Sequence, residues 1–160
     1  KIEKVDIGEL FSEMYEVFRR QLEGSKVELI YEQKESKCIM NTDRVRFNQV
    51  LTNFMTNAIK YTKEGHIRMG YGCHNKGLRI FVEDTGMGLP KDKKDLVFDR
   101  FEKLGSFVQG TGLGLSICKD IANMFGGKVG VDSELGKGST FWMWVPCKGC
   151  KNMECEQAED

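Results

Sequence analysis

The stretch DRVRFNQVLTNFMTNAIKYT, residues 43 to 62, decides how the rest of the chain is read. Thr42 or Asp43 supplies a short polar side chain that caps a helix start, and neither glycine nor proline interrupts the run to about residue 61. At about 100° per residue, Phe47, Val50, Leu51, Phe54, Met55, Ala58 and Ile59 share one broad side. Arg46, Gln49, Asn53, Asn57 and Lys60 gather on an opposite arc. Asparagine is a mediocre helix former, because its side chain competes for backbone hydrogen bonds. A solvated face accounts for most polar arcs, yet this one also carries usable chemistry. An asparagine oxygen is a neutral ligand that magnesium accepts, and a lysine one turn away supplies charge for a polyphosphate.

Working outward, residues 8 to 23 place Leu10, Phe11, Met14, Val17, Phe18 and Leu22 at helical spacing and stop at Gly24. Val27 to Tyr31 alternates as a strand, and Cys38 to Met40 reads as a second short one. Beyond the long helix, HIRMGYGCH and GLRIFVED flank the NKG turn and predict a hairpin. Residues 84 to 112 hold glycine-rich runs with a short helical turn around KDLVFDRF, and a loop of that length inside a compact domain is usually functional or disordered. A third helix spans Leu113 to Phe125, and KVGVDS and STFWMWVP form a last hairpin around ELGKG. The expected architecture is an α+β two-layer sandwich, a mixed and mostly antiparallel sheet covered on one face by three helices.

Composition agrees with one domain: 160 residues, 40% hydrophobic and 30% charged, bury a single sizeable core. Lysine plus arginine and aspartate plus glutamate balance at 24 each, which offers no strong field for nucleic acid or an anionic membrane. The charged start KIEKVDIGEL lacks the apolar core of a signal peptide, so a cytoplasmic setting is expected. Six scattered cysteines are expected as reduced thiols, and CKGCKNMEC lacks a fourth ligand for zinc, so residues 147 to 160 read as a tail or linker.

Two glycine clusters share the chemistry of the asparagine face. In DTGMGLP, Gly86 and Gly88 let the backbone approach a flat ligand while Asp84 accepts a hydrogen bond from an exocyclic amine; in isolation, the same run reads more readily as a tight turn. In QGTGLGLS, Gly110, Gly112 and Gly114 free backbone amides at a helix start to face phosphate.

Together these motifs resemble the catalytic ATP-binding domain of bacterial sensor histidine kinases, in the superfamily shared with DNA gyrase, mismatch-repair ATPases and Hsp-type chaperones. The N box is DRVRFNQVLTNFMTNAIKYT, the first glycine box EDTGMGLP, the F box FDRF and the second glycine box GTGLGL, followed by GKGSTF, all in family order from about Val5 to Pro146. The resemblance implies ATP and Mg2+ as cofactors. It makes Asn57 the magnesium ligand, Lys60 a phosphate contact and Tyr61 a neighbour of adenine. Asp84 would read the adenine amino group, with Gly86 and Gly88 shaping that end. Phe98 and Phe101 would anchor a lid, and Lys103 would reach the terminal phosphates. Gly110, Thr111, Gly112, Leu113 and Gly114 would cradle phosphate, and Ser139 would place a hydroxyl near the adenine-side floor.

Asn53 stands where the superfamily's ATPases carry a water-activating glutamate. An asparagine is no general base at neutral pH, so the expectation is a kinase that holds the γ-phosphate for another nucleophile. His66 and His74 lie in strand-like runs without the acidic neighbour of a phosphorylated histidine. The acceptor is therefore expected on a dimerisation domain upstream of Lys1, with a response regulator receiver domain as an indirect partner. Two alternatives stay open: an ATPase or serine kinase of the same superfamily, against which Asn53 argues, and a nucleotide-sensing module without catalysis.

Overall fold

The computed structural model describes residues 1–32, 38–99 and 114–147. Along them the elements are β1 (Glu3–Asp6), α1 (Ile7–Gln21), β2 (Lys26–Glu32), β3 (Ile39–Thr42), α2 (Arg44–Tyr61), β4 (Glu64–His74), β5 (Gly77–Asp84), α3 (Lys91–Lys94), α4 (Gly114–Met124), β6 (Lys128–Glu134) and β7 (Gly138–Pro146). Asp43, rather than Thr42, caps the long helix: its carboxylate accepts from the Val45 and Arg46 backbone N–H groups at 3.1 and 3.3 Å. Asp6 does the same for α1, accepting from Glu9 N–H at 3.1 Å. Val17, expected inward, is 57% exposed. It lies at the edge of the α1 stripe, roughly 80° from its centre, where helix curvature and neighbour spacing decide the outcome.

The main sheet has the order β2-β4-β5-β7-β6. Its β2–β4 pairing is parallel and every other pairing is antiparallel. The β4–β5 turn places Asn75 and Lys76 at φ of +50° and +59°, the left-handed pair that matches a two-residue hairpin to strand twist. A separate two-stranded ribbon joins β1 to β3, with Val5 opposite Met40. Four residues of β1 are too few to show a period, which leaves that strand without a signal in the sequence.

Register builds the core. Tyr71 faces Ile80, Met69 faces Val82, and Leu78, Ile80 and Val82 lie opposite Val145, Met143 and Phe141. This apolar face receives Leu10, Phe11 and Phe18 from α1, the Phe47 to Ala58 stripe from α2, and Cys118, Ile121 and Ala122 from α4. Ring contacts mark the joints: Phe11 with Tyr71 at 5.0 Å, Phe54 with Phe141 at 5.9 Å, and Phe47 with Phe125 at 6.3 Å. Each fully buried ring stabilises the fold by about 2 to 3 kcal/mol. Three helices on one face of a mixed sheet match the expected α+β sandwich, with α3 a single added turn.

The opposite face keeps Arg79 between Phe81 and Trp142, its guanidinium 5.7 Å from each ring centroid. Cys38, Cys118 and Cys147 are thiols, whereas Cys73 is disulfide-bonded, a correction to the expectation of reduced cysteines throughout. Its partner lies outside the described residues, and spacing along a chain does not disclose such pairings.

Candidate functional site

The sheet and α2 meet at one end in a pocket lined by Asn57, Tyr61, Asp84, Met87, Gly88, Leu89, Ser139 and Phe141. Asn57 and Tyr61 are one turn apart on α2, so both project toward the same end of the sheet. Asp84 closes β5 and pairs in register with Ser139 on β7. The residue is 5% exposed, and its carboxylate accepts from Gly86 N–H at 2.8 Å. Burial raises its pKa above the ordinary aspartate value, opposed by backbone hydrogen bonds from Gly86 and Ser139.

Both glycines after Asp84 are required sterically. A β-carbon on Gly86 would overlap the Tyr61 carbonyl oxygen, and one on Gly88 would overlap the Glu134 carbonyl oxygen. Gly88 also has φ +72°. Backbone bonds stitch this turn in place: Met87 N–H donates to Tyr61 O at 3.4 Å, and Gly136 N–H donates to Met87 O at 2.7 Å. The glycine turn is thereby held against both α2 and the β6–β7 hairpin.

Ser133, which the motifs do not single out, organises the same corner. Its hydroxyl accepts from Leu89 N–H at 2.8 Å, donates to Gly138 O at 3.0 Å and lies 2.8 Å from Ser139 Oγ. A serine in a strand pattern carries no signal of such a role. Thr62 is equally silent in the sequence: its Oγ1 is buried without a hydrogen-bond partner among the described residues, beside Gly86.

Of the expected site residues, Asn57, Tyr61, Asp84, Gly88 and Ser139 line one pocket and Gly86 lies behind it. Lys60 is exposed on α2 next to Tyr61. Asn53 does not line the pocket; its amide donates to the Gly114 carbonyl at 2.9 Å. Phe98 packs edge-on against Phe141, ring centroids 6.1 Å apart, which joins the F-box segment to the pocket wall. Phe101, Lys103, Gly110, Thr111, Gly112 and Leu113 lie outside the described residues.

The donor set fits the implied groups. An apolar wall of Met87, Leu89 and Phe141 with one buried carboxylate suits a flat, amine-bearing ring. Among the described residues no group of three or more His, Cys, Asp or Glu could hold a metal. A single Asn57 oxygen suits magnesium, which keeps most of its ligands as water and phosphate oxygens.

A model of the family described as histidine kinase-, DNA gyrase B-, and HSP90-like ATPase matches residues 42–149. Sensor histidine kinase RcsC of Salmonella typhimurium is 41% identical over 116 residues, covering 70% of this chain but 12% of RcsC. Full-length ShkA, solved in complex with AMPPNP, is similar at TM-score 0.76 and 31% identity, covering 91% of this chain and 31% of that one. The catalytic domain of histidine kinase ThkA, nucleotide free, is similar at TM-score 0.79 and 27% identity, covering 92% and 98%. ThkA in complex with the response regulator TrrA aligns at TM-score 0.78 and 27% identity, covering 92% and 42%. With the sandwich, the ordered motifs and these similarities in agreement, the chain belongs to the histidine kinase-, DNA gyrase B- and HSP90-like ATPase family, as a catalytic ATP-binding domain of the bacterial sensor histidine kinase type.

Proposed function

We propose that this domain binds Mg-ATP and presents the γ-phosphate to a histidine on a dimerisation domain of the same protein. The supporting observation is the convergence of Asn57, Tyr61, Asp84 and Ser139 on one pocket beside the glycine turn. In this reading Asp84 accepts from the adenine amino group, Gly86 and Gly88 leave room for the ring, and Tyr61 and Ser139 border it. Asn57 holds the metal, which when bound neutralises charge on the phosphates. Lys60 and Lys103 supply positive charge to the triphosphate, and Gly110, Thr111, Gly112, Leu113 and Gly114 supply backbone amides.

Phosphoryl transfer needs chiefly positioning and charge neutralisation, so these groups suffice without a base of their own. With Asn53 in place of a carboxylate, water is a poor acceptor and a supplied histidine a good one. Residues 1–146 form the proposed catalytic unit and 147–160 a tail or linker. A receiver domain of a response regulator is the proposed downstream partner, supported by the ThkA–TrrA complex. A cytoplasmic position is proposed; among the described residues no helix is long and apolar enough to cross a membrane.

The test has two steps. Calorimetry with ATP, with and without magnesium, should show binding that weakens on chelation. Radiolabelled ATP with the chain and its own histidine-bearing dimerisation domain should then yield acid-labile, base-stable phosphoprotein. ATP binding without phosphohistidine would leave a sensing module in place of a kinase.

A further inference from the structure

Asn53 lies one turn before Asn57 on α2 and makes a contact that neither metal binding nor water activation requires. Its Nδ2 donates to the Gly114 carbonyl at 2.9 Å, closing 61 residues of sequence. A carbonyl oxygen only accepts, so the NH2 end of the amide must face it. Gly114 opens α4, and a β-carbon added there would reach ordinary van der Waals distance, 3.8 Å, from Asn53 Cγ. The amide also meets Cys118, one turn further along α4, where its hydrogen bond opposes the burial that pushes the thiol up to about 12. Cys118 Sγ in turn lies 3.9 Å from the Val50 carbonyl on α2. α2 thus meets two successive turns of α4, at Gly114 through Asn53 and at Cys118 through the Val50 carbonyl.

We propose that Asn53 is a positioning residue that fixes the start of α4 against the Asn57–Lys60 face of α2. The consequence for nucleotide rests on the reading given above; the tie itself does not. The requirement is for a hydrogen-bond donor of this length. A carboxylate at the same place has no hydrogen to offer and sets two electron-rich oxygens face to face, so the latch and a general base are mutually exclusive in this geometry. Asparagine here would then do more than leave water unactivated: it would hold the α4 end in register before nucleotide arrives.

Hydrogen exchange of the nucleotide-free chain, read over residues 114–118, tests the tie in Asn53→Ala and Asn53→Asp. Alanine is the better helix former, so α2 keeps its own protection. Loss of one neutral hydrogen bond speeds exchange of the α4 start by about three- to tenfold in both variants at neutral pH. In Asn53→Asp, protection returns as the introduced carboxyl protonates and again donates, while Asn53→Ala, which carries every other titrating group, shows no such recovery. Affinity for AMPPNP, with magnesium and with EDTA, falls in parallel with the exchange. Unchanged protection in both variants overturns the tie, whatever happens to affinity. Altered protection with unchanged affinity overturns the positioning role. A wild-type chain that binds no nucleotide sinks the functional reading and the positioning role with it, while the exchange data still report the tie.

Discussion

Asp84 is buried, and burial raises its carboxyl pKa more than the Gly86 and Ser139 backbone bonds lower it. Burial thus makes ionisation of Asp84 costlier in the folded protein than in the unfolded chain. Its contribution to stability is therefore full below the ordinary aspartate range and is lost as pH rises through the raised value. Asp84→Asn should stabilise the nucleotide-free chain at neutral pH, with the gain vanishing in acid, as urea midpoints against pH would show. The same substitution should weaken ATP binding by about 1 to 3 kcal/mol, because a charged acceptor is replaced by an amide. Unchanged affinity would mean that adenine is not read there. Thr62 poses the converse case, a buried hydroxyl without a partner among the described residues. Thr62→Val keeps the shape and removes the unsatisfied group, so thermal unfolding should shift upward, by about 1 kcal/mol at the midpoint. A downward shift would reveal a hydrogen bond that this hydroxyl makes in solution.

Among the elements, the glycine turn after β5 shows how a loop becomes part of a rigid site. Gly88 at φ +72° faces the Glu134 carbonyl, whereas Gly136 at φ +84° has open space, with nothing within 4 Å of where a β-carbon would stand. Gly136→Ala should then cost only the left-handed backbone term, about 1 to 2 kcal/mol. Gly88→Ala should cost more, about 2 to 4 kcal/mol by urea denaturation, since a backbone clash adds to the same term. It should also lower nucleotide affinity, because the turn must leave the β6–β7 hairpin. Equal costs for the two substitutions would show that the turn relaxes freely. The motif DTGMGLP is legible as a close-approach segment, but which carbonyl each glycine faces is not. Those neighbours, Tyr61 and Glu134, come from elements far away in sequence.

For the molecule as a whole, the pocket joins α2, β5 and β7, elements that also carry the core through Phe54, Val82 and Phe141. A ligand held there stabilises the entire cooperative unit. At about 100 times its dissociation constant, Mg-ATP should add about 2.7 kcal/mol and raise the unfolding midpoint by several degrees, less when magnesium is chelated. A calorimetric scan with no ligand-dependent shift would remove nucleotide from this pocket. Phe141 couples the two roles most directly, since it touches Phe54 and Phe98 and lines the pocket.

Periodicity and motif order were sufficient, from sequence alone, for the α+β sandwich, the three principal helices and both hairpins, while Asn57, Tyr61, Asp84 and Ser139, named through the family resemblance, line one pocket. Those features are local, because a 3.6-residue or two-residue repeat and a glycine spacing are written within a few turns of chain. The tertiary structure decided what depends on contacts across the fold. It chose Asp43 as the cap, turned Val17 outward, added the β1–β3 ribbon and the Ser133 anchor, and recorded a disulfide at Cys73. It also placed the Asn53 amide on Gly114 rather than in the pocket. Each of these turns on which of several chemically acceptable partners lies within hydrogen-bond or van der Waals reach, and only the packed chain sets those distances.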